Sequence, residues 1–163
     1  MTAPGSVTGV HPVRAILSAG DIETEYLRGG HGRVVILVVT RELRHPMFVA
    51  LAPGCRVIMP VATTPAIDGS ESGSSWSGWL HDFLEGLGST SVTLVVADPA
   101  CQEAVRFVEE HPTQIERLVL LTRQAHLFAA SLGPTHVLDL DHSDSLVAEV
   151  ADVLRTDPAR STQ

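Results

Sequence analysis

An apolar run that turns abruptly into a helix constrains the fold of this chain more than any other feature. Residues 94–97 read Leu-Val-Val-Ala, as in the buried strands of parallel sheets. The run breaks at Asp98-Pro99, and apolar side chains then recur at helical spacing over 102–110. Such a connection places one side chain, here that of Asp98, at the carboxyl edge of the sheet, where ligands bind in open α/β folds.

The alternation of strand and helix extends over most of the chain. Apolar runs predict strands over 34–39, 56–61, 92–97, 115–121 and 136–140. Helical periodicity predicts helices from Pro46 to about residue 51 and over 79–87, 99–110, 124–131 and 144–155, with a long loop over 63–78.

A hairpin is predicted before the first of these strands. Residues 22–27 alternate apolar and acidic side chains, as in a half-buried antiparallel strand, and the Ala19-Gly20-Asp21 turn joins them to an apolar segment at 13–17. We therefore predict an α/β fold: a mainly parallel, doubly wound sheet that begins with an antiparallel hairpin.

Length and composition limit the domain count and the classes of partner. The 163 residues suit one domain over 13–156, with a flexible N-terminal lead (1–12) and a C-terminal tail (157–163). A net charge of −8 argues against nucleic acid as a partner, and the chain lacks an apolar run long enough to cross a membrane. The apolar content of 44% predicts a homo-oligomer in which one subunit covers apolar surface of the other.

Cysteine and histidine usage favours a chain without metal or cofactor. Cys55 and Cys101 do not form a CxxC pair, so we interpret them as free thiols in the reducing cytoplasm. The eight histidines are spread along the chain without the paired spacing of a metal site. We expect a small molecule as the ligand.

Five segments, in this order along the chain, resemble the α/β-hydrolase superfamily. They are IETEYLRGGHG (22–32), RVVILVV (33–39), GCRVIMPV (54–61), the helix–strand–helix–strand stretch 79–121, and THVLDLDHSD (135–144). The resemblance implies an α/β-hydrolase-like fold. The fold is truncated and lacks the family's cap domain, because only about 14 residues (122–135) separate the strand at 115–121 from the strand that leads to the histidine. The resemblance also implies that Asp98 lies where the family has its nucleophilic serine, and that His142 aligns with the catalytic histidine.

The chain departs from the family pattern at the site itself. The family's G-x-S-x-G elbow here is Val96-Ala97-Asp98-Pro99-Ala100. Pro99 stands where a backbone N–H would hold the oxyanion, and proline has none; the loss of one such donor costs about 100- to 1,000-fold in rate. Val39-Thr40 replaces the His-Gly pair before the oxyanion loop, and residues 122–135 contain no carboxylate to complete a triad.

Two interpretations of Asp98 follow. In one, Asp98 and His142 form an acid–base pair, with Asp141 orienting the imidazole and the Thr40 hydroxyl and Pro99 lining the site. In the other, Asp98 is the N-cap of the helix that Pro99 opens. The first predicts an enzyme acting on a small carbonyl or ester compound as a hydrolase, lyase, isomerase or cyclase. The second gives Asp98 a structural role, and the two roles can coexist. The alternative function is a catalytically inactive module for ligand or subunit binding, which the substituted elbow, the altered oxyanion hole and the missing carboxylate favour.

Overall fold

The fold is a seven-stranded sheet with four helices, described by a computed structural model for residues 11–19, 22–62, 76–89, 91–98, 100–124, 135–139 and 143–155. The strands are β1 (Val13–Ala19), β2 (Ile22–Gly29), β3 (Arg33–Val38), β4 (Cys55–Ala62), β5 (Val92–Ala97), β6 (Ile115–Thr122) and β7 (Thr135–Asp139). The helices are α1 (Arg41–Leu51), α2 (Trp76–Leu87), α3 (Cys101–Glu110) and α4 (Ser143–Arg155).

The sheet has the order β1-β2-β4-β3-β5-β6-β7. The hairpin strand β2 pairs antiparallel with both β1 and β4, whereas β4, β3, β5, β6 and β7 are mutually parallel. The predicted hairpin and parallel sheet are therefore confirmed, and β1 lies at the edge of the sheet.

Two apolar clusters cover opposite faces of the sheet. On one face, α2 and α3 pack on the even-numbered residues of β5, such as Leu94 and Val96. On the other face, α1 and α4 pack on the odd-numbered residues, such as Val95 and Ala97. Since successive strand residues point to opposite faces, an uninterrupted apolar run is what a strand covered on both faces requires.

Helix α1 begins earlier than predicted. We expected Pro46 to open it, but the helix starts at Arg41 and contains Pro46 in its interior. The apolar face that anchors it includes Met47, Phe48 and Leu51, all buried, and this packing outweighs the one backbone hydrogen bond that an interior proline removes.

Two other helix boundaries also differ from the prediction. Trp76 was predicted to lie in the long loop but begins α2 and is 3% exposed, because it packs beside Trp79 at a ring distance of 5.9 Å. Helix α3 begins at Cys101 and not at Pro99. The rest of the predicted loop lies outside the described residues. So does the predicted helix over 124–131, except for Gln124, which is described and is not helical.

The turn between β2 and β3 requires glycine at residue 30. Gly30 has φ +81°, and a Cβ added there would lie 2.1 Å from the carbonyl oxygen of Cys55 and 2.5 Å from that of Ala52. We expect Gly30→Ala to lower the free energy of unfolding by about 2 kcal/mol or more, measured by urea denaturation.

Gly54→Ala is the matched control, because a Cβ at Gly54 meets no atom within 4 Å. Its effect should stay within about 0.5 kcal/mol. Equal losses for the two variants would contradict the close backbone approach at Gly30.

Among the described residues, no helix is long and apolar enough to span a membrane.

Candidate active site

Asp98 lies directly after β5, at the carboxyl edge of the parallel sheet. Its backbone N–H donates to the carbonyl of Leu121 at 3.0 Å, which continues the β5–β6 ladder by one residue. The N–H of Ala100 donates back to the carbonyl of Ala97 at 3.1 Å, so the chain reverses within four residues before α3 begins. The predicted sharp connection is therefore present, and it holds the backbone of Asp98 in place.

The carboxylate of Asp98 is turned toward β6. Its Oδ2 accepts a hydrogen bond from the hydroxyl of Thr122 at 2.8 Å and another from the backbone N–H of Arg123 at 3.1 Å. The same hydroxyl of Thr122 accepts from the N–H of Gln124 at 3.0 Å, which orients it as a donor to Asp98. The half-buried carboxylate is therefore held by the end of the neighbouring strand.

The prediction that Asp98 caps the following helix is wrong. The N-cap of α3 is Ala100, which makes no side-chain capping bond, and the helix opens at Cys101. The turn over 97–100 inserts two residues between Asp98 and the first helical residue, and the donors at the end of β6 hold Oδ2 instead. The aspartate thus forms part of the sheet edge rather than the helix end.

Thr40 lies at the same edge, between the end of β3 and the start of α1. Val38 of β3 pairs with Val96 of β5, so Thr40 and Asp98 each stand two residues beyond this pair. Thr40 is exposed and is the N-cap of α1, without a side-chain capping bond. The register therefore places Thr40 at the same edge of the sheet as Asp98, just beyond the neighbouring strand β3.

The other residues of the predicted site lie outside the described residues. These are Pro99, Asp141 and His142, so the acid–base pair remains a prediction. The structure does describe the strand that leads to the histidine: β7 ends at Asp139, which pairs with Thr122 of β6. The chain therefore leaves β7 at the same edge where Asp98 stands, two strands away.

The sequence analysis missed Thr122 and the amide of Arg123 as partners of Asp98. Thr122 is a fully buried polar residue that directly follows the apolar run of β6. Parallel strands end at one common edge, so a polar residue at the end of a strand beside β5 is a candidate partner of Asp98. This reasoning led to Thr40 after β3 but was not extended to Thr122 at the end of β6.

Cys101 lies beside Asp98 in a buried position that disfavours reaction of its thiol. Its thiol is 1% exposed and lies 3.5 Å from the carbonyl oxygen of Val96 and 3.6 Å from that of Leu121. Burial, followed by the negative charge of Asp98, raises the pKa of the Cys101 thiol far above its usual range. The thiol therefore stays protonated at neutral pH, and a protonated thiol is a poor nucleophile.

This raised pKa makes stability fall in alkali. The unfolded chain releases the thiol proton above about pH 8.5, whereas the folded chain keeps it. The free energy of unfolding is therefore unaffected by this thiol below that pH. Above that pH it falls by up to about 1.4 kcal/mol per pH unit. We expect Cys101→Ala to remove most of this slope in urea denaturations between pH 8 and 10.

Cys55→Ala serves as the control for this experiment. Cys55 is half-buried, and the charge of Arg33 opposes the effect of burial that raises the pKa of its thiol. The Cys55 variant should therefore flatten the slope less than the Cys101 variant. A Cys101→Ala protein with the slope of the unsubstituted protein would contradict the assignment.

Two basic residues near the carboxyl edge differ in environment. His45 on α1 is exposed, as expected of a surface position. Arg44 is half-buried, and its Nε is buried with no hydrogen-bond partner among the residues that the structure describes.

One group of side chains has the composition of a metal site. Within the described ranges, His81, Asp82 and Glu85 of α2 place one ligand atom each within 4.8 Å of one another. His81 stacks on His111, which follows α3 at the end of that helix remote from Asp98. Glu85 is exposed. The expectation of a protein without metal remains a prediction.

Comparison with known proteins identifies the fold but not the activity. No protein-family profile matches the chain, and no curated protein sequence matches it. Among solved structures, the chain resembles a protein from Thermoplasma acidophilum described as a predicted CIB-like hydrolase. The TM-score is 0.69 and the identity 10%, over 90% of this chain and 99% of that one. The chain has an α/β-hydrolase-like fold.

Larger hydrolases share this fold over part of their length. The 2-hydroxy-6-oxo-6-phenylhexa-2,4-dienoate hydrolase of Rhodococcus sp. strain RHA1 matches 69% of this chain with a TM-score of 0.58 and 16% identity, but only 47% of its own length is covered. The epoxide hydrolase of Vigna radiata matches 72% with a TM-score of 0.59 and 19% identity, over 39% of its own length. This chain therefore spans less than half of these two enzymes.

Proposed function

We propose that this protein is an enzyme on the hydrolase fold in which Asp98 transfers a proton to or from a small carbonyl or ester compound. The observation that carries the proposal is the orientation of the carboxylate. Its Oδ2 is fixed by Thr122 and the amide of Arg123 at the edge of the sheet, and not by the helix that follows. A carboxylate that is half-buried and held in one orientation suits general acid–base catalysis.

The proposed partner of Asp98 is His142. Neighbouring strands lie about 4.8 Å apart, so β5 and β7 are separated by about 10 Å across β6. The carboxylate of Asp98 points from β5 toward the end of β6, where it accepts from Thr122. On the other side of β6, β7 ends at Asp139, three residues before His142. The side chains of an aspartate and a histidine can together span that separation.

The substituted elbow favours proton transfer over covalent catalysis. Pro99 offers no N–H to an oxyanion, whereas acyl transfer depends strongly on such donors. Proton transfer by the carboxylate forms no tetrahedral intermediate at the elbow, so it does not depend on an N–H from residue 99 in the way that acyl transfer does. We therefore favour a lyase, isomerase or cyclase reaction on a carbonyl compound, with ester hydrolysis as the conservative variant.

A second candidate function is a ligand-binding module without catalysis. One observation favours it: Oδ2 of Asp98 already accepts two hydrogen bonds from the protein itself. In that case the carboxyl edge of the sheet binds a small molecule without converting it. Self-association, cytoplasmic location and independence of cofactors also remain proposals.

A substrate panel separates these functions. The purified chain is incubated with short-chain nitrophenyl esters, with epoxides and with small β-hydroxy and keto acids, and product formation is followed by absorbance and mass spectrometry. We expect turnover above the uncatalysed rate for at least one carbonyl compound. Thermal stabilisation by compounds of the panel without any turnover would instead support the binding module.

A further inference from the structure

The opposite edge of the sheet carries a basic cavity that the proposed catalysis does not use. Its volume is about 420 Å³, and it lies between the end of β2, the start of β4 and the turn that follows β2. Its lining residues are Val13, Arg28, Gly29, Gly30, His31 and Arg56. Two arginines and one histidine thus face a space whose lining contains no carboxylate.

The backbone register brings the two arginines together. Arg28 of β2 pairs with Ile58 of β4, and Gly29 pairs with Val57, so Arg56 follows directly along β4. The close packing of Gly30 on the carbonyl of Cys55 fixes the turn that carries His31 beside them. The cavity is therefore built on paired strands and a tight turn rather than on a long loop.

Neither arginine is neutralised by a residue that the structure describes. Arg28 and Arg56 are exposed, and neither forms an ion pair with any residue in the described part of the chain. By contrast, Arg14 on the adjacent strand contacts Glu25 at 2.7 Å, and Arg106 on α3 contacts Glu103 at 3.5 Å.

The charge distribution along the sequence strengthens this contrast. Residues 26–67 contain five arginines and one carboxylate, that of Glu42, and therefore carry a net charge of +4. The whole chain carries −8, so the remaining residues carry −12. Two of these arginines, Arg41 and Arg44, lie in α1 near the carboxyl edge, whereas Arg28, Arg33 and Arg56 lie at the edge that carries the cavity. The three arginines at this edge give a local potential that attracts anions.

We propose that this cavity binds a phosphate group. A guanidinium presents a planar fork of donors that matches phosphate oxygens two at a time, and two such forks with an imidazole suit a dianion. The site is distinct from the candidate active site: strands of about six residues separate it from Asp98 by about 20 Å. The proposal of a phosphate site therefore does not depend on whether Asp98 is catalytic.

Binding is tested with inorganic phosphate and with phenyl phosphate on the full chain. Thermal unfolding and isothermal titration are followed at pH 7.5 against sodium chloride of equal ionic strength. We expect saturable stabilisation by phosphate beyond that of the chloride control. Tighter binding of phenyl phosphate would assign the site to an organic phosphate, and equal binding would assign it to the free ion; both results support a phosphate site.

Charge-neutral variants identify the residues. Arg28→Gln and Arg56→Gln should each weaken phosphate binding about tenfold, because a hydrogen bond to a charged group is lost. Arg106→Gln is the matched control and should bind as the unsubstituted protein does. Circular dichroism establishes that the variants are folded. A phosphate effect that sodium chloride reproduces, or that survives both substitutions, would overturn the proposal.

Discussion

Asp98→Asn is expected to lower the turnover of any substrate that the protein converts by about 100- to 10,000-fold, the usual contribution of a general acid–base group. Asparagine has nearly the shape of aspartate, and its carbonyl oxygen can still accept from Thr122 and from the amide of Arg123. The variant should therefore remain folded while losing the proton-transfer group. The measurement is kcat on the best substrate of the panel, with circular dichroism for the fold.

Two further variants test whether Asp98 acts as part of a pair. His142→Ala should cause a loss of similar size, and the double variant should lose little more, because residues that act as a unit are not additive. Asp82→Asn is the matched control, since Asp82 is also half-buried but lies on α2 away from the edge. Turnover that survives both Asp98→Asn and His142→Ala would rule out this assignment.

Phe83→Ala is expected to lower the free energy of unfolding by about 3–5 kcal/mol. Phe83 is 0% exposed, meets the ring of Tyr26 edge-on at 5.5 Å and stacks on Trp79 at 5.5 Å. Trp79 in turn donates to the buried hydroxyl of Thr24 at 2.8 Å. This aromatic group attaches α2 to the hairpin strand β2, so its loss should remove a large part of the stability of a domain this size.

Urea denaturation measures this loss, with Val49→Ala on α1 as the control. Val49 is 56% exposed, so its substitution should change the free energy by no more than about 0.5 kcal/mol. A loss below about 1 kcal/mol for Phe83→Ala would contradict the packing of α2 against the hairpin.

The sheet was predictable because its strands are covered on both faces. Uninterrupted apolar runs such as 94–97 have few alternatives to a buried strand, and the structure places these residues in β5. Helix starts were less predictable. The local signal of Pro46 pointed to a first helical position, but the contacts of Met47 and Phe48 determine where α1 lies, and contacts distant in sequence are not visible in a local pattern.

The position of the candidate site was predictable, but its hydrogen bonds were not. The break after Ala97 located Asp98 at the carboxyl edge, and the structure confirms that location. The partners of the carboxylate lie 24 and 25 residues further along the chain, at the end of β6. Asp98-Pro99 has the sequence of a helix cap, and only the register of β5 with β6 reveals that the end of β6 supplies the donors instead.

The fold alone leaves a wide choice of chemistry. The hydrolases that this chain resembles include an epoxide hydrolase and a dienoate hydrolase, and each is more than twice as long as the part that matches. Function therefore depends on the site residues of this chain. In this chain, Asp98 and Pro99 at the elbow are the residues that favour proton transfer.

The distance between the carboxylate of Asp98 and the imidazole of His142 in a crystal of the protein tests the proposed pair most directly. Proton exchange between them requires a separation of about 2.6–3.2 Å or one bridging water. We predict that separation, with Oδ2 still held by Thr122. An imidazole that lies on another face of the molecule would contradict the proposed pair and would leave the hydrolase fold without an acid–base centre.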